Sequence, residues 1–331
     1  MSKAEAVALI LWLGASLYAV FGGADFGAGL WHLLARGSNR ELNERAGRRS
    51  GTSLGPVWEA NHVWLIFILV VLWTGFPRAF APIMETLYVP LALAAVGIVL
   101  RGSGFAFGKE LVGRAGERAH NVFAVSSIVT PFFMGTVVGA IASGRVTPDG
   151  GDVWSSWINP LSILIGVLFV ASSAYIAAVF LAADARRAGD EELVRYFTRR
   201  ALGAAVVAGA LAIAGLVVLH EEARYVYDGL TADAWPLLAG SVVFGLAGLV
   251  VLARGVPRGS RPLAVGAVVA VIWAWGVAQH PYLFPTSLTI EEGAGAPATL
   301  TALIVVFFIA IAVAGPALGL LYTLSQKRVL E

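Results

Sequence analysis

Long apolar stretches separated by short polar segments dominate the chain, and neither the alternation of a strand nor a narrow amphipathic stripe recurs along it. Nine stretches reach or approach the roughly 20 apolar residues a membrane span requires, at about 6–34, 57–76, 80–101, 119–143, 159–183, 199–219, 234–253, 262–280 and 298–325. Lipid offers the backbone no hydrogen-bond partner, so each stretch is expected to be a helix. The pattern predicts an all-α polytopic membrane protein forming one integral membrane domain over residues 1–331. Pro90, Pro131 and Pro316 lie inside apolar stretches and predict kinks.

The polar segments alternate in sign. Arg36, Arg40, Arg45, Arg48 and Arg49 follow the first stretch, Lys109, Arg114 and Arg118 the third, Arg186, Arg187, Arg195, Arg199 and Arg200 the fifth, and Arg254, Arg258 and Arg261 the seventh. Lys327 and Arg328 close the chain, whereas the opposite segments carry Asp149, Asp152, Glu221, Glu222, Asp228, Asp233, Glu291 and Glu292. Positive charge is retained on the cytoplasmic side, so the N-terminus is expected outside and the C-terminus in the cytoplasm, which an odd span count requires. The arginines set orientation first, and contact with anionic lipid is a lesser role.

Composition agrees and narrows the chemistry. Hydrophobic residues make up 58% of the 331 and charged residues only 13%, which excludes a water-soluble domain. No cysteine is present, so disulfides, thiolate metal sites and thiol catalysis are absent from this chain. The first apolar stretch is too long for a cleavable leader and ends in no cleavage pattern, so it is expected to remain as a span.

Charged groups within spans are costly and face the bundle interior, a partner or a water-filled path. Asp25, late in the first stretch, and Glu59, early in the second, both fall toward the cytoplasmic side, while Glu85 stands nearer the outer interface, where a solvated or capping role serves equally. Gly22 and Gly29 share the helix face of Asp25, and Gly23 and Gly27 form a G-x-x-x-G on another face, where a second helix can approach. Glu59 shares a face with His62 one turn on, next to Trp58 and Asn61. A desolvated carboxylate suits proton relay, and a helix-to-helix hydrogen bond is the structural alternative. Of the five histidines, His32, His120, His220 and His280 fall near span ends. Only His62 lies well inside, where a bonded imidazole competes with a haem-ligand role.

The run Gly22-Gly23-Ala24-Asp25-Phe26-Gly27-Ala28-Gly29 resembles the first-helix D-G-x-D-x-G-x-G motif of subunit II of cytochrome bd quinol oxidases, with Gly22 where the family often has its first aspartate. Gly55-Pro56-Val57-Trp58-Glu59-Ala60-Asn61-His62-Val63-Trp64-Leu65 is similar to that family's G-P-x-W-[DE]-x-N-x-x-W-L. Phe76-Pro77, Arg101-Gly102-Ser103-Gly104-Phe105, Thr130-Pro131, Asn159-Pro160 and Pro281 to Ser287 follow in the family's order.

The resemblance implies a subunit of a quinol:oxygen oxidoreductase in the cytoplasmic membrane of a prokaryote. Haem b and haem d would sit in the partner, subunit I, with quinol as the substrate of the complex and with membrane lipid, quinone and small accessory subunits as further company. No nucleic-acid partner is expected. On the same resemblance Asp25 and Glu59 stand where the family has subunit II proton-path acids. Trp58, Asn61, His62 and Trp64 support them, and Arg101 either pairs with a neighbouring acid or haem propionate or snorkels to the interface. A proton-coupled transporter would need repeat symmetry and paired interrupted helices, which the sequence does not offer. A self-contained haem protein would need more deeply placed axial ligands than His62.

Overall fold

The computed structural model describes residues 1–35, 40–52, 58–110, 114–255 and 259–326, with no side-chain description for residues 40, 48, 51, 52, 58–60, 105–110, 114–120, 318, 321, 322 and 324–326. Arg36, Lys109, Arg114, Arg118, His120, Arg258, Lys327 and Arg328 therefore carry side chains outside the described residues. The helices are α1 (Lys3–Leu33), α2 (Arg40–Thr52), α3 (Trp58–Gly75), α4 (Pro77–Thr86), α5 (Tyr88–Glu110), α6 (Arg114–Ala142) and α7 (Pro160–Arg187). They continue with α8 (Glu191–Glu222), α9 (Arg224–Ala232), α10 (Trp235–Ala253), α11 (Ser260–Gln279), α12 (Ile290–Gly293) and α13 (Pro297–Gln326). One small antiparallel hairpin, β1 (Tyr282–Phe284) with β2 (Leu288–Thr289), interrupts the helical pattern between α11 and α12.

Among the described residues seven helices are long and apolar enough to cross a membrane: α1, α6, α7, α8, α10, α11 and α13. Helices α3 and α4 meet at 119° and together count as one further, broken candidate, and α5 contributes a shorter apolar segment, Tyr88–Gly104. The apolar stretch expected to run unbroken from 80 to 101 is divided at Leu87. Pro90 explains the division, since its ring crowds the carbonyl four residues back, at Thr86, where α4 ends. Pro131 and Pro316 lie inside α6 and α13, within continuous helices.

Helix ends carry ordinary capping chemistry. Ser2 and Glu5 form a reciprocal capping box on α1, Asn159 caps α7 through the Ser162 N–H at 2.9 Å, and Asp190 caps α8 through the Leu193 N–H at 3.1 Å. Each side-chain oxygen satisfies an N–H the helix itself leaves unbonded.

Close packing centres on α1. The predicted G-x-x-x-G meets α7: a Cβ on Gly27 would stand 2.0 Å from the Ser173 carbonyl oxygen, and one on Gly23 3.3 Å from the Ser173 Oγ. The same device joins α6 to α7, where a Cβ on Gly139 would lie 2.5 Å from the Ser162 Cα. Small residues let backbones approach in lipid, where burial of apolar surface gives no drive between helices. One core cluster gathers the ends of α1, α7 and α8 around Trp31, Ile176, Leu181 and Phe197, and another gathers Val7, Phe76, Leu87 and Phe284 at the opposite end of α1. Outward faces of α8, α10 and α13 are apolar and exposed, with Ile213, Val243 and Phe308 as examples.

Candidate functional site

Asp25 and Arg101 are each 2% exposed, and Arg101 is among the largest fully buried side chains of the chain. Arg101 Nη2 donates to Asp25 Oδ1 at 2.7 Å and to the Asp25 carbonyl at 2.9 Å, and Nε donates to Oδ2 at 3.1 Å. Nη1 donates to the Ser127 Oγ, and Ser127 in turn donates to the Phe123 carbonyl at 2.6 Å. The guanidinium stands 4.2 Å from the centroid of the Phe123 ring and 5.3 Å from that of Phe26. Three helices are thereby tied at one point: α1 through Asp25, α5 through Arg101 and α6 through Ser127.

The backbone makes room for this. A Cβ on Gly29, one turn beyond Asp25, would fall 2.1 Å from the Ser127 Oγ and 2.8 Å from Arg101 Nη1. Gly97, one turn before Arg101 on α5, leaves space for Thr130, whose Oγ1 would lie 2.3 Å from a Cβ there. The guanidinium does not snorkel: it lies side-on to the carboxylate in the two-point geometry that arginine and carboxylate favour.

The second motif packs beside the first. Asn61 is 3% exposed and donates through Nδ2 to the Phe21 carbonyl at 3.2 Å, which fastens α3 to α1. The His62 ring meets Phe26 edge-on with centroids 6.4 Å apart, so the imidazole and Arg101 share that ring as a neighbour. Trp64 is half-buried and meets Phe67 edge-on at 6.3 Å. Glu59 and Trp58 open the first turn of α3, and their side chains lie outside the described residues.

The remaining candidates lie away from this point. Glu85 is exposed on α4. His32 bonds the Gly47 carbonyl at 2.9 Å and links α1 to α2, His280 stands 3.7 Å from Glu5, and His220 bonds Glu221 at 2.9 Å. Among the described residues no three His, Asp or Glu side chains are grouped to hold a metal ion.

Three hydroxyl residues of this region are not among the site residues of the sequence reading, where Thr130 enters only as part of Thr130-Pro131. Ser127 completes the grip on Arg101, while Tyr18 and Thr130 bury hydroxyls that meet no partner among the described residues. Tyr18 precedes Asp25 by seven residues, two turns on the same face, and its ring lies 3.0 Å from where a Cβ on Gly22 would stand. That spacing is the signal that could have found it. Ser127 carries no comparable mark, because serine is ordinary within membrane helices, and Thr130-Pro131 gave Thr130 a place in the family's order but no role.

A helical integral membrane protein with a buried ion pair at the junction of α1, α5 and α6, and a second polar motif entering α3 beside it, is the class these features define. Within that class the chain belongs to the cytochrome bd terminal oxidase subunit II family, whose sequence model matches residues 4–325. It is 23% identical over 319 residues to a Bacillus subtilis protein assigned as a cytochrome bd menaquinol oxidase subunit II, covering 93% of this chain and 91% of the relative. To the cytochrome bd-I ubiquinol oxidase subunit 2 of Escherichia coli strain K12 it is 27% identical over 239 residues, 67% of this chain and 60% of that one. Among solved structures, the bd oxidase from Geobacillus thermodenitrificans contains a chain that superposes with a TM-score of 0.80 at 28% identity, covering 98% of both chains.

Proposed function

We propose that this chain acts within a quinol:oxygen oxidoreductase as the subunit that scaffolds a haem-bearing partner and supplies a proton route from the cytoplasmic side. Cytochrome bd oxidases couple quinol oxidation to the reduction of oxygen to water, with their haems in the partner subunit. In this reading the chain forms one membrane domain of nine spans: the seven long apolar helices, the α3 segment and the α5 segment. Helix α4 lies across the outer membrane face between the last two. The N-terminus is outside and the C-terminus cytoplasmic, supported by arginine-rich segments on one side and acidic ones on the other. Small accessory subunits and bound quinone fit the same assembly.

The observation that carries the site reading is the buried Asp25–Arg101 pair. Protonating Asp25 would leave a buried guanidinium without its counter-ion, which costs several kcal/mol. Asp25 therefore serves the route as a fixed charge that holds α1, α5 and α6 in place. Glu59, on the α3 turn that precedes Asn61 and His62, is the group that takes up and passes on the proton. Its place on the first turn of α3, within the motif that resembles the family's proton-path block, supports this role. Asn61 and His62 fix the entry of α3 against α1, through the Phe21 carbonyl and the Phe26 ring.

The test is purification of the chain alone and with a haem-bearing partner. The complex is expected to consume oxygen with quinol and to carry haem b and haem d, and the chain alone to bind no stoichiometric haem. A full haem complement on the isolated chain would overturn the division of labour.

A further inference from the structure

At the arginine-rich end of the molecule, away from the buried pair, three guanidiniums converge on one acidic residue. Arg261, on the first turn of α11, donates through Nη2 to Asp184 Oδ1 at 2.6 Å and to the Phe180 carbonyl at 3.1 Å. Arg187 approaches the same oxygen at 3.3 Å, and Arg49 of α2 donates to the Asp184 carbonyl at 2.8 Å. Asp184 thus holds three guanidiniums, two at its carboxylate and one at its backbone carbonyl. The negative end of the α7 dipole offsets part of the surplus, but only by a fraction of a charge.

Two donors in this cluster are unsatisfied. The Nε groups of Arg49 and Arg261 are shielded from solvent and meet no hydrogen-bond partner among the described residues. Shielded donors without acceptors are rare in folded proteins, because each costs free energy until an acceptor arrives. Asp184 and Arg261 keep a quarter of their side-chain surface exposed and Arg187 44%, so a ligand reaches the cluster from outside. The cluster sits where α7 ends and α11 begins, which is headgroup depth for helices of spanning length. Leu246 and Val250, exposed on α10, which packs against α11, offer apolar surface on the same helix pair.

We propose that Arg49, Arg187 and Arg261 form a binding site for the phosphate of an anionic phospholipid. A phosphate diester supplies the missing acceptor oxygens and a negative charge, and the planar fork of arginine matches its geometry. Asp184 orders the three side chains in the absence of lipid and competes with the phosphate for them. A basic pocket between helix ends at headgroup depth recognises such lipids by charge, with each arginine worth about a fivefold change in affinity.

The test uses the assembled oxidase complex, delipidated and titrated with phosphatidylglycerol, with phosphatidylcholine of matched chains, or with inorganic phosphate, and read by native mass spectrometry. Phosphatidylglycerol is expected to bind in preference to phosphatidylcholine. Arg187→Gln should lower its affinity about fivefold and Arg49→Gln with Arg261→Gln about 25-fold. Asp184→Asn should raise it about fivefold by removing the competing charge, a gain that a purely structural ion pair would not give. The exposed Arg187 variant and Asp184→Asn keep the test open if the double variant fails to assemble. Equal retention of the two lipids, full displacement of phosphatidylglycerol by millimolar inorganic phosphate, or unchanged affinity in both Arg187→Gln and Asp184→Asn would overturn the site.

Discussion

Replacing Asp25 by Asn isolates the cost of the buried charge. The substitution keeps the size of the side chain but leaves Arg101, 2% exposed, without a counter-ion. At the Nη2 to Oδ1 distance of 2.7 Å, Coulomb attraction at an effective dielectric constant of 20 is about 6 kcal/mol before desolvation is counted. Breaking such a pair from one side costs about 3–5 kcal/mol, because the remaining charge stays buried. Replacing both partners with apolar residues of similar volume removes the desolvation cost along with the attraction, so Asp25→Leu with Arg101→Met should be far less harmful than either change alone. The assay is a double-mutant cycle on the purified complex, using denaturant-induced loss of haem absorbance as the readout of stability. A coupling energy of about 2 kcal/mol or more is expected, the mark of residues acting as one unit. Single variants as stable as wild type, or strictly additive effects, would show that the pair does not hold the three helices.

Further outcomes follow from the same structure. Gly27→Ala should disrupt assembly, since its Cβ would overlap the Ser173 carbonyl at 2.0 Å, whereas Gly240→Ala, with nothing within 4 Å, should be neutral or stabilising by up to about 1 kcal/mol; yield of assembled complex compares them. Arg45 bonds Asp190 and Glu192 and fastens α2 to the start of α8, and the Arg45 guanidinium, with the Leu193 N–H, holds the Asp190 carboxyl below its ordinary range. A depressed carboxyl stabilises above its unfolded pKa of about 4 and loses that contribution as pH falls through the lower folded value, so the protection of α2 amides relative to their intrinsic exchange rate should fall at acid pH, and Asp190→Asn should weaken that dependence. Cysteines placed at Ser155 and Ala188 should label from opposite sides of intact cells, the former from outside; labelling from one side would remove the nine-span orientation.

The polytopic helical fold was legible because lipid forces the backbone into helices and leaves long apolar runs as the trace. Where the reading and the structure part, at residues 80–101, hydropathy continued across Leu87 while the ring of Pro90 ended one helix and began another. The G-x-x-x-G at Gly23 and Gly27 announced a close neighbour, but its identity as Ser173 of α7 is a long-range matter that no local pattern encodes. Asp25 stood out as a charge at depth. Its partner Arg101 was ambiguous, because an arginine near a span end snorkels as readily as it pairs, and only the folded bundle decides. The arginines around Asp184 read as a topology signal first and as general anionic-lipid contact second, since charge counts along a chain do not reveal which guanidiniums converge.

The central claim is that Glu59 carries protons for the oxidase while Asp25 stays locked to Arg101. Quinol-driven oxygen consumption per assembled complex, counted by haem content and followed across pH, tests it most directly in Glu59→Gln and Glu59→Asp. Glutamine keeps the shape of the side chain but cannot carry a proton, so turnover should fall by about 100-fold or more, the lower end for losing a proton-transfer group. Aspartate keeps the titrating group and should retain a larger share of activity, with a shifted pH profile. Near wild-type turnover for Glu59→Gln in a fully assembled complex would contradict the relay and leave the carboxylate a role in helix packing alone.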